Sequence, residues 1–146
     1  MPRAVWQLVQ GRPVIEIVLS LPAAGQRTAR TLLADTGAGS ARTGMELILS
    51  EDDCSRFGMG SAGSLRLGGA FTGSFPAVWI HASVPGTGFS RLCLAVAVPA
   101  ARLPQRLEGI ACYRFLHRFT YAHGRPVDTQ DRASLSDNST IHANSI

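Results

Sequence analysis

The chain has 146 residues, enough for one core, and its 45% apolar and 16% charged residues describe a globular protein and exclude a disordered one. Basic residues outnumber acidic ones by fourteen to ten, spread from Arg3 to Arg132 without the run that a nucleic-acid footprint requires. All of the basic residues are Arg, which excludes a phosphate-loop lysine and a Schiff-base lysine.

In chain order, residues 4–9 and 14–19 are apolar-rich runs around Gln10-Gly11-Arg12-Pro13, a pattern that predicts a hairpin. Pro22, Gly25 and Gln26 mark the next reversal, and residues 28–34 read as a strand running directly into Asp35-Thr36-Gly37. Further strands are predicted at 64–67, 77–81 and 92–98, each bounded by Gly, Pro or Ser. One short helix of about two turns is expected after Gly109, where Phe115, Leu116 and Phe119 share a face over the core. From Ala122 the chain turns polar, so residues 1–121 read as the domain and 122–146 as a flexible tail. There is no internal repeat, and a second covalently linked lobe is not expected.

Cys54, Cys93 and Cys112 are odd in number and widely spaced, unlike a disulfide framework or a metal site, which points to a reducing compartment. The longest apolar run, residues 92–98, is far short of a membrane span, and no export signal opens the sequence. The expectation is a soluble, cytoplasmic protein with no membrane or nucleic-acid partner and no cofactor or metal. Asn138-Ser139-Thr140 then reads as a chance match to a glycosylation acceptor.

The sequence Leu32-Leu33-Ala34-Asp35-Thr36-Gly37-Ala38-Gly39-Ser40 delivers an acid from an apolar strand into a tight loop of small residues. An isolated Asp-Thr-Gly is an ordinary turn, but here the strand before it would bury the loop, and a buried carboxylate is costly unless paired or hydrogen-bonded.

Asp35-Thr36-Gly37-Ala38 and its flanks resemble the active-site loop of retropepsin-like aspartic proteases. Residues 107–116, Leu-Glu-Gly-Ile-Ala-Cys-Tyr-Arg-Phe-Leu, are similar to that family's apolar-apolar-Gly segment beneath the loop, which leads into a short helix. The likeness spans roughly residues 14–119. It implies a mainly β fold, a closed antiparallel β-barrel of retropepsin type with one short C-terminal helix, and peptide hydrolysis by Asp35. Thr36 would bond across to a partner's loop, Gly37 would leave its backbone free to hold the carboxylate, and Ile110, Ala111 and Cys112 would form the floor. Cys112 stands where the family has glycine, which implies a local adjustment.

This hydrolysis needs two carboxylates sharing a proton around a water, and the chain offers one suitable loop. Asp52, Asp53, Asp131 and Asp137 lack the following Thr-Gly, and Asp128-Thr129-Gln130 lacks the glycine. A homodimer with a two-fold axis between copies of Asp35 would supply the pair. A glycine-tipped cover over the peptide substrate is also required. Gly58, Gly60 and Gly63 are the first candidate, and the segment from Gly68 to Gly73 is the rival. The first also matches the dinucleotide fingerprint, but its neighbours lack the strand-then-helix context. Cys93 and Cys112 read as packed thiols, His81 and His117 as structural histidines, and Trp6 and Trp79 as core. The alternative function is a catalytically silent dimerisation or peptide-binding module of the same fold, and a third reading is nucleotide binding.

Overall fold

The computed structural model describes residues 3–39, 44–124 and 132–137. In chain order its elements are β1 (Arg3–Gln7), β2 (Val14–Leu21), β3 (Gln26–Ala34), β4 (Leu47–Ser50), α1 (Glu51–Phe57), β5 (Gly58–Leu67), β6 (Gly73–Val84), β7 (Phe89–Val98), β8 (Gly109–Ala111), α2 (Tyr113–Leu116), β9 (Phe119–Gly124) and β10 (Arg132–Asp137). Short 3-10 turns lie at Pro22–Ala24, Gly69–Phe71 and Ala100–Arg102.

Seven strands form one sheet in the order β2-β3-β8-β4-β7-β6-β5, and β2 also pairs with β6, so the sheet curls back on itself. Most pairings are antiparallel, as expected, but β3–β8 and β4–β7 are parallel. The central strand β4 is buried on both faces. Leu47 and Leu49 of β4 enter one apolar cluster with Ile15, Ile17, Phe57 and Phe115, while Ile48 enters a second with Met45, Val96, Val98 and Ile110. That arrangement explains apolar runs without alternation. β8 threads between β3 and β4 because residue 109 is glycine. A Cβ there would stand 2.6 Å from the Ile48 carbonyl and 2.8 Å from Leu32.

The predicted hairpin of β1 with β2 does not form. Gln10 and Gly11 do make a two-residue turn at positive φ, closed by reciprocal Val9 and Arg12 bonds of 3.1 and 3.0 Å. Pro13 then has no N–H to extend the ladder, and its carbonyl instead accepts from Ala34 N–H at 3.0 Å. β1 pairs with β10, in a separate sheet ordered β1-β10-β9. Thus β10 and the last three residues of β9 are strand where the sequence reads as tail. Asn138-Ser139-Thr140 and Asp128-Thr129-Gln130 lie outside the described residues.

The sequence pattern does not mark α1, which forms because Ser50 caps it, accepting Asp53 N–H at 3.0 Å, and because Glu51, Asp52 and Asp53 fill its positive first turn. Arg30 of β3 holds Asp53 through bonds of 2.8 and 3.0 Å, tying α1 to the sheet. The hydrogen bonds to Asp53, helped by its negative charge, hold the Arg30 proton and move the guanidinium pKa up against the smaller lowering that its own burial brings. α2 is a single turn rather than two. Phe115, Leu116 and Phe119 are all buried as predicted, and the two phenylalanines pack with Phe89 at centroid distances of 5.1 to 5.4 Å. No helix among the described residues is long and apolar enough to cross a membrane.

Candidate active site

β3 ends at Ala34, and the next residue, Asp35, sits over the parallel β3–β8 pairing. Its N–H donates to the Ala111 carbonyl at 3.0 Å, continuing the register in which Ala34 faces Ala111. The loop then closes on itself: Gly37 N–H donates to Asp35 Oδ1 at 2.9 Å, and Ala38 N–H donates to the Asp35 carbonyl at 3.1 Å. Its far side rests on α2 through a 2.9 Å bond from Tyr113 N–H to the Ala38 carbonyl. Position 37 suits glycine, since a Cβ would stand 3.2 Å from Asp35 Oδ1.

The sequence predicts a buried loop, but in the single chain Asp35 is half-buried and Thr36, Gly37 and Gly39 are exposed. The Thr36 hydroxyl has no hydrogen-bond partner among the described residues. A cavity of about 440 Å³ opens from the Asp35 loop, with Met45, Ile48 and Ile110 as its apolar floor. Its roof is the tip of the β5–β6 hairpin, from Arg66 to Phe71. Asp35 is the carboxylate in this lining, and Arg66 is its other charged residue.

The two glycine-rich segments therefore separate. Gly68 and Gly69 lie over the cavity, whereas Gly58, Gly60 and Gly63 are in the body of β5 and are not among the lining residues. Those glycines serve the strand: the β5–β6 register shifts between Gly58 and Ser61 and again between Ser61 and Ser64, and Gly60 and Gly63 take φ of 145° and 88°. A helix precedes this segment and a strand runs through it, the reverse of a dinucleotide-binding turn.

Of the expected floor, Ile110 lines the cavity, Ala111 holds Asp35 N–H, and Cys112 lies behind them, fully buried. Cys112 takes φ −88° and ψ 172°, extended backbone open to any residue, so the expected local adjustment is not seen. Burial, with a smaller contribution from the nearby carboxylates of Asp35 and Glu46, pushes its thiol up to about 12. Cys54 and Cys93 are likewise buried, free, and raised to about 12 by desolvation. His81 bridges Ser20 and Ser90, and His117 stacks on Tyr113; neither lines the cavity at Asp35. Trp6 packs partly against the core, but Trp79 is 43% exposed and is not core.

Sequence reasoning missed Glu46 and Arg118. Glu46 is buried at 3% exposure, and its backbone carbonyl accepts Cys112 N–H at 2.9 Å. Its side chain accepts Arg118 Nε at 2.8 Å and Leu94 N–H at 2.9 Å. A charge inside the apolar run Met45-Glu46-Leu47-Ile48-Leu49 was the available signal.

This is the fold of the retropepsin-like aspartic proteases. The chain is similar to a solved retropepsin-like aspartic protease from Rickettsia conorii, with 12% identity, a TM-score of 0.51, and coverage of 91% of this chain and 89% of that one. The likeness is one of fold. No family model and no curated protein matches the chain.

Proposed function

We propose that the chain is an aspartic endopeptidase that works as a homodimer, with Asp35 of each copy forming the catalytic pair. The observation that carries this reading is the seat of Asp35. The strand end fixes its backbone, Gly37 N–H steadies one carboxylate oxygen, and the carboxylate stands in a cavity roofed by a glycine-bearing hairpin tip. An extended peptide fits between such a floor and roof.

With a second Asp35 across a two-fold axis, one carboxylate takes a proton from the shared water as it attacks the scissile carbonyl. The other, protonated, donates to the carbonyl oxygen, and a proton then passes to the leaving amine as the C–N bond breaks. The exposure of Thr36, Gly37 and Gly39 supports a partner loop packing there. The hairpin tip around Gly68 and Gly69 is the cover in this reading. Three free thiols are in keeping with work in a reducing compartment such as the cytoplasm. The silent-module alternative rests on Cys112, whose extended backbone accepts a side chain without strain, so we favour turnover.

The test is Asp35→Asn, which keeps the volume and the Gly37 bond but cannot act as base. Peptide cleavage should be lost while thermal midpoint and dimer content stay near those of the unchanged protein. Appreciable cleavage by the purified variant would remove Asp35 from the chemistry.

A further inference from the structure

The tip that roofs Asp35 is closed within its own turn by one short side-chain bond, from the Thr72 hydroxyl to the Gly69 carbonyl at 2.8 Å, and by two longer backbone bonds. Those backbone bonds, from Phe71 N–H to the Gly68 carbonyl and from Thr72 N–H to the Gly69 carbonyl, are 3.3 and 3.4 Å long. Gly69 sits at φ +62° with no atom within 4 Å of where a Cβ would be. Gly68, Gly69 and Ala70 are exposed, and a tip of this kind is held more firmly where something outside the hairpin grips it.

Arg102 supplies such a hold. It belongs to the 3-10 turn Ala100–Arg102 after β7, which is kept in shape by bonds of 2.9 Å from Arg102 N–H to Pro99 and 3.1 Å from Leu103 N–H to Ala100. Its Nη2 donates to the Ala70 carbonyl at 2.9 Å, and its guanidinium carbon lies 5.8 Å from the Phe71 ring centre and 5.2 Å from that of Phe75. All three contacts fall on the hairpin. Arg102 does not line the cavity, but Ala70 and Phe71 do.

We propose that Arg102 is a positioning residue that latches the hairpin tip over Asp35 and sets how tightly peptide is gripped, an inference that rests on the peptidase reading. A planar guanidinium can stack on two rings while donating sideways to a carbonyl, which an ammonium cannot do. The latch acts through Ala70 and Phe71 and touches no reacting atom.

The test compares Arg102→Ala and Arg102→Lys with the unchanged protein in peptide kinetics and in amide exchange. Losing one hydrogen bond and its stacking should raise KM about fivefold for Arg102→Ala and leave kcat within about twofold. Amides of residues 69–72 should exchange faster while those of β7 hold, and Arg102→Lys should recover only part of the KM. Unchanged KM with unchanged tip exchange overturns the latch. So does a loss of kcat together with a general rise in exchange, which marks a merely structural arginine. If the unchanged protein cleaves no peptide, the peptidase reading fails, and the exchange data alone decide whether Arg102 holds the tip.

Discussion

Glu46 and Arg118 meet as an ion pair beside Cys112, the guanidinium Nε 2.8 Å from Oε1 of a carboxylate whose side chain is 4% exposed. Arg118 follows α2 and Glu46 precedes β4, so the pair ties the two segments that meet at Cys112. Removing Arg118 leaves a buried carboxylate whose remaining side-chain partner among the described residues is Leu94 N–H.

Arg118→Met should therefore cost about 3 kcal/mol, the usual size for an orphaned buried charge. The double variant Glu46→Gln with Arg118→Met should cost less than Arg118→Met alone. Urea unfolding of the three proteins measures this, and a double variant weaker than the single one would contradict the account.

The three buried thiols give stability an alkaline limit. Burial raises their folded pKa from 9.0 to about 12, so above pH 9 the unfolded chain loses thiol protons that the fold retains. Stability is complete below 9 and falls as pH climbs toward 12, by up to about 1.4 kcal/mol per pH unit for each thiol. Lysine is absent and cannot blur the effect. Replacing all three cysteines with Ala should flatten urea midpoints plotted from pH 8 to 11, and an unchanged slope would refute the assignment.

Cys112 should be an inert packing group. With 0% exposure and a raised pKa, it should resist alkylation of the native protein while cleavage continues. Cys112→Ser should keep activity and lose roughly 1–2 kcal/mol, because a hydroxyl is placed among apolar atoms. Rapid labelling with parallel loss of activity would make Cys112 a functional thiol instead.

If the catalytic pair is shared, specific activity should fall on dilution as dimers separate. Sedimentation and peptide cleavage measured over the same concentrations check this. Constant specific activity in samples shown to be monomeric would end the shared-pair mechanism.

The Asp35 loop and its floor were legible because their signals are local: an acid between an apolar strand and small residues, and an apolar triplet before buried aromatics. The partner of β1 was not legible, since the turn at Gln10-Gly11 forms while Pro13 diverts the ladder to a strand far along the chain. α1 escaped notice because its start is written in a cap and an acidic first turn rather than an apolar face. The two glycine-rich segments look alike as sequence. Only the register separates glycines that relieve bulges in β5 from those that make the tip.

β8 is three residues long, and its Ala111 carbonyl holds the Asp35 amide. During synthesis the Asp35 loop, the apolar floor of β4 and the whole hairpin emerge from the ribosome well before that carbonyl exists. A nascent chain stalled before Gly109 should leave the Asp35 amide open to exchange, because the support it needs is a non-local contact. The seat of Asp35 thus depends on a strand that is made only after the whole β5–β6 hairpin and β7.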